Sequence, residues 1–246
     1  MNTTLQALWQ ETPDEGSVRQ RLHQVLRQSI IHMVLAPGQA LSEKEVADTF
    51  AVSRQPVREA FIRLSEAGLV EVRPQRGTYV VKISHQAVLE ARFVREAIEV
   101  AVAREAASRG ISAQVVNELY ELVERQRRCI DPHDYDRFFL LDETFHRTLS
   151  LGVAQQTAWK VTEEVKAQLD RVRYLSIPDS TPIGKLIDQH EKIVECVARR
   201  DEGAAEEIMR IHQREILQSL PNLMNRFPEM FEIPAAMAAH KIEKVV

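Results

Sequence analysis

Four side chains in the second half of this 246-residue sequence could hold a divalent metal: Asp142, His146, His190 and His212. Asp142 and His146 are one helical turn apart, so they share a helix face, among Phe138, Phe139, Phe145 and Leu149. His190 lies between Ile187 and Val194, and His212 between Ile208 and Ile216, each on or beside an inward stripe. Burying a carboxylate and three imidazoles without partners costs several kcal/mol. A metal satisfies all four together, and imidazole with carboxylate suits zinc, nickel or manganese. A single histidine on an apolar face is ordinarily a core residue. The set of four, with the i, i+4 pair inside it, is what points to a metal. Glu143 makes one Glu-x-x-His with His146, whereas di-iron bundles use that motif twice.

A second set could read DNA. Residues 53–64 place Arg54, Gln55 and Arg58 on one side of a short helix and Val57, Phe61 and Leu64 on the other. Arg pairs with guanine edges and Gln with adenine edges, so such a helix fits a major groove. A solvated basic face is the plain alternative, and the flanking segments weaken it. Upstream, Ser42 with Glu45 forms a capping box, Ala51-Val52 a tight turn, and Ser53 the next cap, with Pro56 in the first turn, which is a helix-turn-helix. Gly68 stops the second helix. Downstream, 69–73 and 78–82 alternate apolar and polar residues about Gln75-Arg76-Gly77, a β-hairpin wing with a basic tip. From Ser53 to Lys82 there are six basic and three acidic residues, a local +3 in a chain of net −4. A DNA footprint needs only that local charge.

A third chemistry is anion binding. Arg95 stands on the mostly apolar face of Ala91, Ile98 and Val102 and needs an anion, either Glu99 at i+4 or a ligand carboxylate. Arg171 and Arg173 are weaker candidates for the same role, and Arg92 reads as a surface partner of Glu96.

These residues must be positioned by a mainly α chain: an N-terminal winged helix-turn-helix with a small hairpin wing, then an all-α six-helix bundle. Helices are expected near 17–35, 42–50, 53–67, 86–109, 112–130, 134–151, 154–177, 181–200 and 203–219. Breaks fall at Pro37-Gly38, Gly68, Gly110, Asp131-Pro132, Gly152, Pro178 with Pro182, and Asp201 to Gly203. The expected organisation is an arm over 1–16, a DNA-binding domain over 17–82, a helical domain over 83–221 and a tail over 222–246. Hydrophobic content of 44 % suits globular cores, and no apolar run reaches the length of a membrane span. Met1–Glu15 shows no secretory signal, and Cys129 and Cys196 have no motif spacing, so a cytoplasmic protein without membrane contact is expected.

At this point the residues resemble a known family. Pro37-Gly38, Leu41-Ser42-Glu43, Val52-Ser53-Arg54, Val57-Arg58-Glu59-Ala60, Gly68-Leu69-Val70 and Arg76-Gly77-Thr78 resemble the winged-helix module of the GntR family. Arg95-Glu-Ala-Ile-Glu99, Asp142-x3-His146, His190 and His212 resemble the FCD effector domain of its FadR branch. The stretches ending at Val80 and Phe61 look closest to regulators of rspAB-type operons. The resemblance implies DNA contacts at Lys44, Arg54, Gln55, Arg58, Arg76 and Gly77. It implies metal ligands at Asp142, His146, His190 and His212, and effector anchoring at Arg95; Arg173, from its place near an inward stripe, is expected to bind effector beside it. It further implies a homodimeric, ligand-responsive repressor on a near-palindromic operator, controlled by a small carboxylate or sugar acid at a zinc, nickel or manganese site. Its binding would shift the spacing of the two heads. The rival reading is a metal-dependent hydrolase or lyase with an accessory nucleic-acid domain. It lacks a base beside the ligands, since Glu143 is about 100° round the helix from Asp142, and no enzyme activity is expected.

Overall fold

The computed structural model describes residues 2–12, 17–131, 133–178 and 182–232. Pro132 and the tail past residue 232, which carry part of the turn and tail expectations, lie outside the described residues. The chain divides into two compact units. One runs to Val88 and takes in the segment starting at Met224; the other spans Leu89–Leu223.

The first unit contains α1 (Asn2–Glu11), α2 (Val18–Ile31), β1 (Ala40–Leu41), α3 (Glu43–Phe50), α4 (Arg54–Glu66), β2 (Val70–Arg73) and β3 (Gly77–Val80). Leu22, Val25, Leu26 and Ile30 of α2 bury against Val57, Phe61 and Leu64 of α4 in a core with Val46 and Phe50. Ser17 and Gln20 form a reciprocal capping box at the start of α2. Ser42 caps α3 by accepting from the Glu45 amide. Ser53, expected to cap α4, occupies the cap position but makes no side-chain cap bond. One of the two donors a Ser cap ordinarily uses, the third helical N–H, is missing here because that residue is Pro56.

Three features depart from the expectation. The N-terminal arm carries α1, whose short stripe becomes stable only on partners elsewhere: the Trp9 ring lies 4.9 Å from Phe50 and under the Arg21 guanidinium at 4.2 Å. The hairpin is a three-stranded antiparallel sheet in the order β1-β3-β2, with Leu41 opposite Thr78 and Val72 opposite Thr78 on the other side. β1 is only two residues long, too short to show alternation. Part of the tail is built into the first unit, since Ile83 donates to Met230 O (2.9 Å) and accepts from Glu232 N (2.9 Å). Phe231 is buried there, just after a short 3-10 turn over Pro228–Met230.

The remaining helices are α5 (His85–Arg109), α6 (Ala113–Arg127), α7 (Tyr135–Gly152), α8 (Gln156–Val165), α9 (Ala167–Ser176), α10 (Ile183–Ala198), α11 (Glu202–Arg214) and α12 (Ile216–Arg226). α6 packs on α7 and α10, and α10 packs on α11. Two of the six expected helices are each split at one residue, so the six become eight segments among the described residues. The first split is at Lys166, a buried ammonium held by Asp170 (2.5 Å) and by Glu143 of α7 (3.3 Å). The second is at Glu215, whose amide makes a tight bond to His212 O (3.2 Å) and whose carboxylate holds Lys185 and Gln189 of α10. In both cases a tertiary ion pair sits on the break, so the helical periodicity of the sequence runs straight through it.

Candidate functional site

In the helical unit, α7, α10 and α11 bring Asp142, His146, His190 and His212 together, all buried, with one ligand-type atom from each lying within 4.8 Å of the others. His212 Nε2 lies 3.2 Å from His146 Nε2 and 3.3 Å from His190 Nε2. Each ring's other nitrogen faces an oxygen. His146 Nδ1 lies 2.5 Å from Glu99 Oε2, an ion-pair contact short of hydrogen-bond alignment, whereas His190 Nδ1 bonds Gln126 Oε1 (2.8 Å) and His212 Nδ1 bonds Gln189 Oε1 (3.0 Å). With a proton on each Nδ1, all three Nε2 atoms present lone pairs to one another. Asp142 completes the set. Its Oδ2 is bound by Arg173, while Oδ1 is buried without a hydrogen bond, 3.6 Å from His190 Nε2 and 3.9 Å from His146 Nε2.

This arrangement fits a metal. Zinc–nitrogen bonds of about 2.0–2.1 Å at tetrahedral angles place nitrogens about 3.4 Å apart, close to the separations seen. Three converging lone pairs and an orphaned carboxylate oxygen are unfavourable together unless a cation lies among them. Burial pushes the His190 imidazole down to about 3 and the His212 imidazole well below its usual range, so both rings are neutral at pH 7, the form a metal would need. Burial pushes the Asp142 carboxyl up, but Arg173, His146 and His190 outweigh it and hold the group well below the usual carboxylate range. Phe145 stacks on His190 at 4.2 Å and fixes that ring.

The anionic and cationic groups around the ligands form one network. Arg95 is buried and donates from Nε to Glu99 Oε1 (2.5 Å), the plain partner expected at i+4. Glu99 Oε2 also accepts from Gln213 of α11 (2.8 Å). Burial raises the Glu99 carboxyl, but Arg95 and His146 more than offset it and hold the group at about 2. Arg173 reaches Asp142 and also Asp170 Oδ1 (3.2 Å). Arg95, Arg173, His212 and Gln213 line a pocket with Leu169 and Ile216, in which the space open to water is about 30 Å³. That is room for one or two waters. A larger groove of about 520 Å³ lies on the outer face of α5 and α11, and none of the four ligands lines it. Of the two, the small pocket is the one that reaches the ligand set, through His212.

Arg171 is fully buried and bonds Gln168 Oε1 (3.2 Å), and it does not line the pocket. Arg92 pairs with Glu96, but Glu96 is buried and also takes Arg210 and Arg214, so this is no simple surface pair. Glu143 faces Lys166 (3.3 Å) and not the ligands. Sequence reasoning missed Gln126 and Gln189 altogether and read Glu99 only as a partner of Arg95. No local spacing marks an amide that reaches a histidine of another helix.

In the first unit, Lys44, Arg54, Gln55, Arg58 and Arg76 are all exposed, opposite the buried Val57, Phe61 and Leu64. Two of them have carboxylate partners. Arg58 makes a two-pronged bond to Glu43 (Nε 3.0 Å, Nη2 3.1 Å), and Gln55 donates to Glu59 (3.0 Å), which also takes Arg19 (3.1 Å). At the wing tip Gln75 and Gly77 have φ of 62° and 102°, and Tyr79 Oη donates to Arg76 O (2.8 Å).

Residues 18–80 match the family described as "Bacterial regulatory proteins, gntR family", and residues 88–215 match the "FCD domain". The chain belongs to the GntR family. This GntR-family regulator is 44 % identical over 214 residues to the "HTH-type transcriptional repressor RspR" of Escherichia coli, covering 87 % of this chain and 93 % of that one. It is 24 % identical over 204 residues to the "Gluconate operon transcriptional repressor" of Bacillus subtilis, covering 81 % of this chain and 82 % of that one. Among solved structures, "E. coli McbR/YncC" superposes with a TM-score of 0.73 at 17 % identity, over 86 % of this chain and 99 % of that one. A GntR regulator from Rhodococcus does so with a TM-score of 0.69 at 22 % identity, over 82 % of this chain and 98 % of that one. The relatives are transcription regulators and not enzymes. The regulator therefore has a DNA-binding winged head and an FCD effector-binding domain. Among the described residues no helix is long and apolar enough to cross a membrane.

Proposed function

We propose that this GntR regulator is a homodimeric repressor whose operator affinity is set by a small carboxylate or sugar acid bound beside a divalent metal. The observation that carries the reading is the convergence of three imidazoles, His212 Nε2 lying 3.2 and 3.3 Å from Nε2 of His146 and His190, with the orphaned Asp142 Oδ1 facing them. Asp142, His146, His190 and His212 would hold the metal, zinc most readily, with nickel or manganese as alternatives. The metal, when bound, would supply positive charge and open positions for carboxylate oxygens. Arg95 and Arg173 would neutralise the acid from the pocket side. The pocket takes only a water or two, so a sugar acid requires the side chains of Leu169, Ile216 and Gln213 to part.

The head would read DNA through Arg54, Gln55 and Arg58 in a major groove, with Lys44 on phosphate and Arg76 and Gly77 at the wing tip. Two heads on a near-palindrome multiply affinity through effective concentration. A face for the second copy is available in the helical unit. Phe93 is 66 % exposed on the outer face of α5 beside Ala97 and Ala101, so that face carries both an aromatic knob and a shallow hollow. An isologous contact between two copies requires both on one surface. The acid would release DNA by binding better to the state with low operator affinity.

The test is elemental analysis of protein purified without chelator, followed by gel-shift titration with and without sugar acids. About one metal per chain, lost in His190→Ala and His212→Ala together with the acid response, supports the reading. A wild type that cannot be loaded with metal yet releases DNA normally refutes it.

A further inference from the structure

We propose that Glu99 is the positioning residue that couples the acid pocket to the metal ligands, so that a bound carboxylate and a bound metal strengthen each other. This rests on the metal and acid reading above and specifies how the two are connected. Glu99 is 2 % exposed on α5. Its Oε2 lies 2.5 Å from Nδ1 of His146, and its Oε1 accepts from Arg95 at 2.5 Å. Arg95 also lines the pocket. The other two imidazoles are backed by neutral amides, Gln126 and Gln189, at 2.8 and 3.0 Å. Among the three groups behind the histidines, then, Glu99 alone carries charge, and Glu99 alone is shared with a pocket arginine.

The sign of the coupling follows from that sharing. A carboxylate behind a metal-bound imidazole raises the ring's basicity and orients it. Arg95 draws on the same carboxylate and weakens its effect on His146. An acid that engages Arg95 from the pocket loosens that draw and leaves more of the Glu99 charge to the ring. His146 becomes the stronger donor, and the metal is held more tightly. By linkage, the metal tightens the acid by the same factor. Arg173 offers a parallel route, because it lines the pocket and holds Asp142, but Asp170 also holds Arg173 at 3.2 Å and damps its response.

The experiment uses the full chain stripped of metal, with nickel(II) titrated by calorimetry in the absence and presence of saturating D-gluconate, and again with acetate, each protein affinity corrected for the nickel that the free acid itself binds. In wild type, acid should tighten nickel by a factor of roughly 5–150, the usual range of such couplings. Glu99→Gln should bind nickel about 10–100-fold more weakly, and the acid should change that affinity little. Arg95→Met should bind nickel more tightly than acid-free wild type, an effect opposite in sign to what a merely structural disturbance gives. Because Glu99→Gln leaves Arg95 buried without its anion, Glu99→Gln with Arg95→Met removes both charges and should fold while retaining the weak nickel binding. Circular-dichroism melts check each fold. Nickel binding by folded Glu99→Gln equal to wild type, or a wild type indifferent to both acids, overturns the coupling alone. A wild type that binds neither nickel nor zinc overturns the metal reading and the coupling with it.

Discussion

Replacing His190 by alanine tests the metal centre most sharply. His190 is fully buried, stacked on Phe145 at 4.2 Å and bonded to Gln126 at 2.8 Å. Without metal, the variant leaves a cavity and an unpaired amide, which costs about 2–4 kcal/mol. Part of that is returned, because one of three crowded Nε2 lone pairs disappears. With metal a thousandfold above its Kd, wild type gains about 4 kcal/mol from binding. At about 4 °C per kcal/mol for a unit of this size, the midpoint should rise by about 15 °C. His190→Ala, short of one ligand, should show a metal-induced rise of no more than about 3 °C, because the affinity gain that drives it is lost. The assay is a melt with and without zinc, read by Trp159 fluorescence. The chain has two tryptophans, so a Trp9→Phe background leaves the buried Trp159 of α8 as reporter of the helical unit alone. An equal metal-induced rise in His190→Ala and wild type would refute the convergent-ligand reasoning.

Arg58→Ala should cost about 1–3 kcal/mol of operator binding at one base pair, whereas Arg76→Ala should weaken all sequences alike and reduce the salt slope by about one; competition gel shifts at two salt concentrations separate the two. Glu43→Gln frees Arg58 from its two-pronged partner and should raise binding to non-operator DNA in the same assay. Phe93→Asp should yield monomers at micromolar concentration by light scattering while keeping metal binding, and a stable dimer would reject the α5 face. Burial, with Arg27 and Arg63, holds the His23 imidazole at about 4. The folded head therefore binds fewer protons than the unfolded chain, so its stability is full above about pH 6.5 and is lost as pH falls toward 4. A head melting point that is flat from pH 7 to 5, or unaltered by His23→Gln, would contradict this.

Much of this molecule is decided within four residues of chain. The buried stripe of Val57, Phe61 and Leu64, the Ser42 cap and the left-handed Gly68 (φ 65°) follow from local spacing and backbone sterics, which are written in the sequence. The four candidate ligands are legible for the same reason, because a polar residue on an apolar stripe is visible without a structure. Their inner geometry is not. That Nε2 of each ring faces inward depends on Glu99, Gln126 and Gln189, which come from other helices or from outside the motif. α1 exists because Phe50 and Arg21 cover Trp9, and β1 because β3 pairs with it. The break at Lys166 follows from a carboxylate on α7. Local propensity is a sum over neighbours in sequence, and a pattern records it. Desolvation and ion pairing depend on whichever groups folding brings within a few ångströms, so only the tertiary structure could decide them.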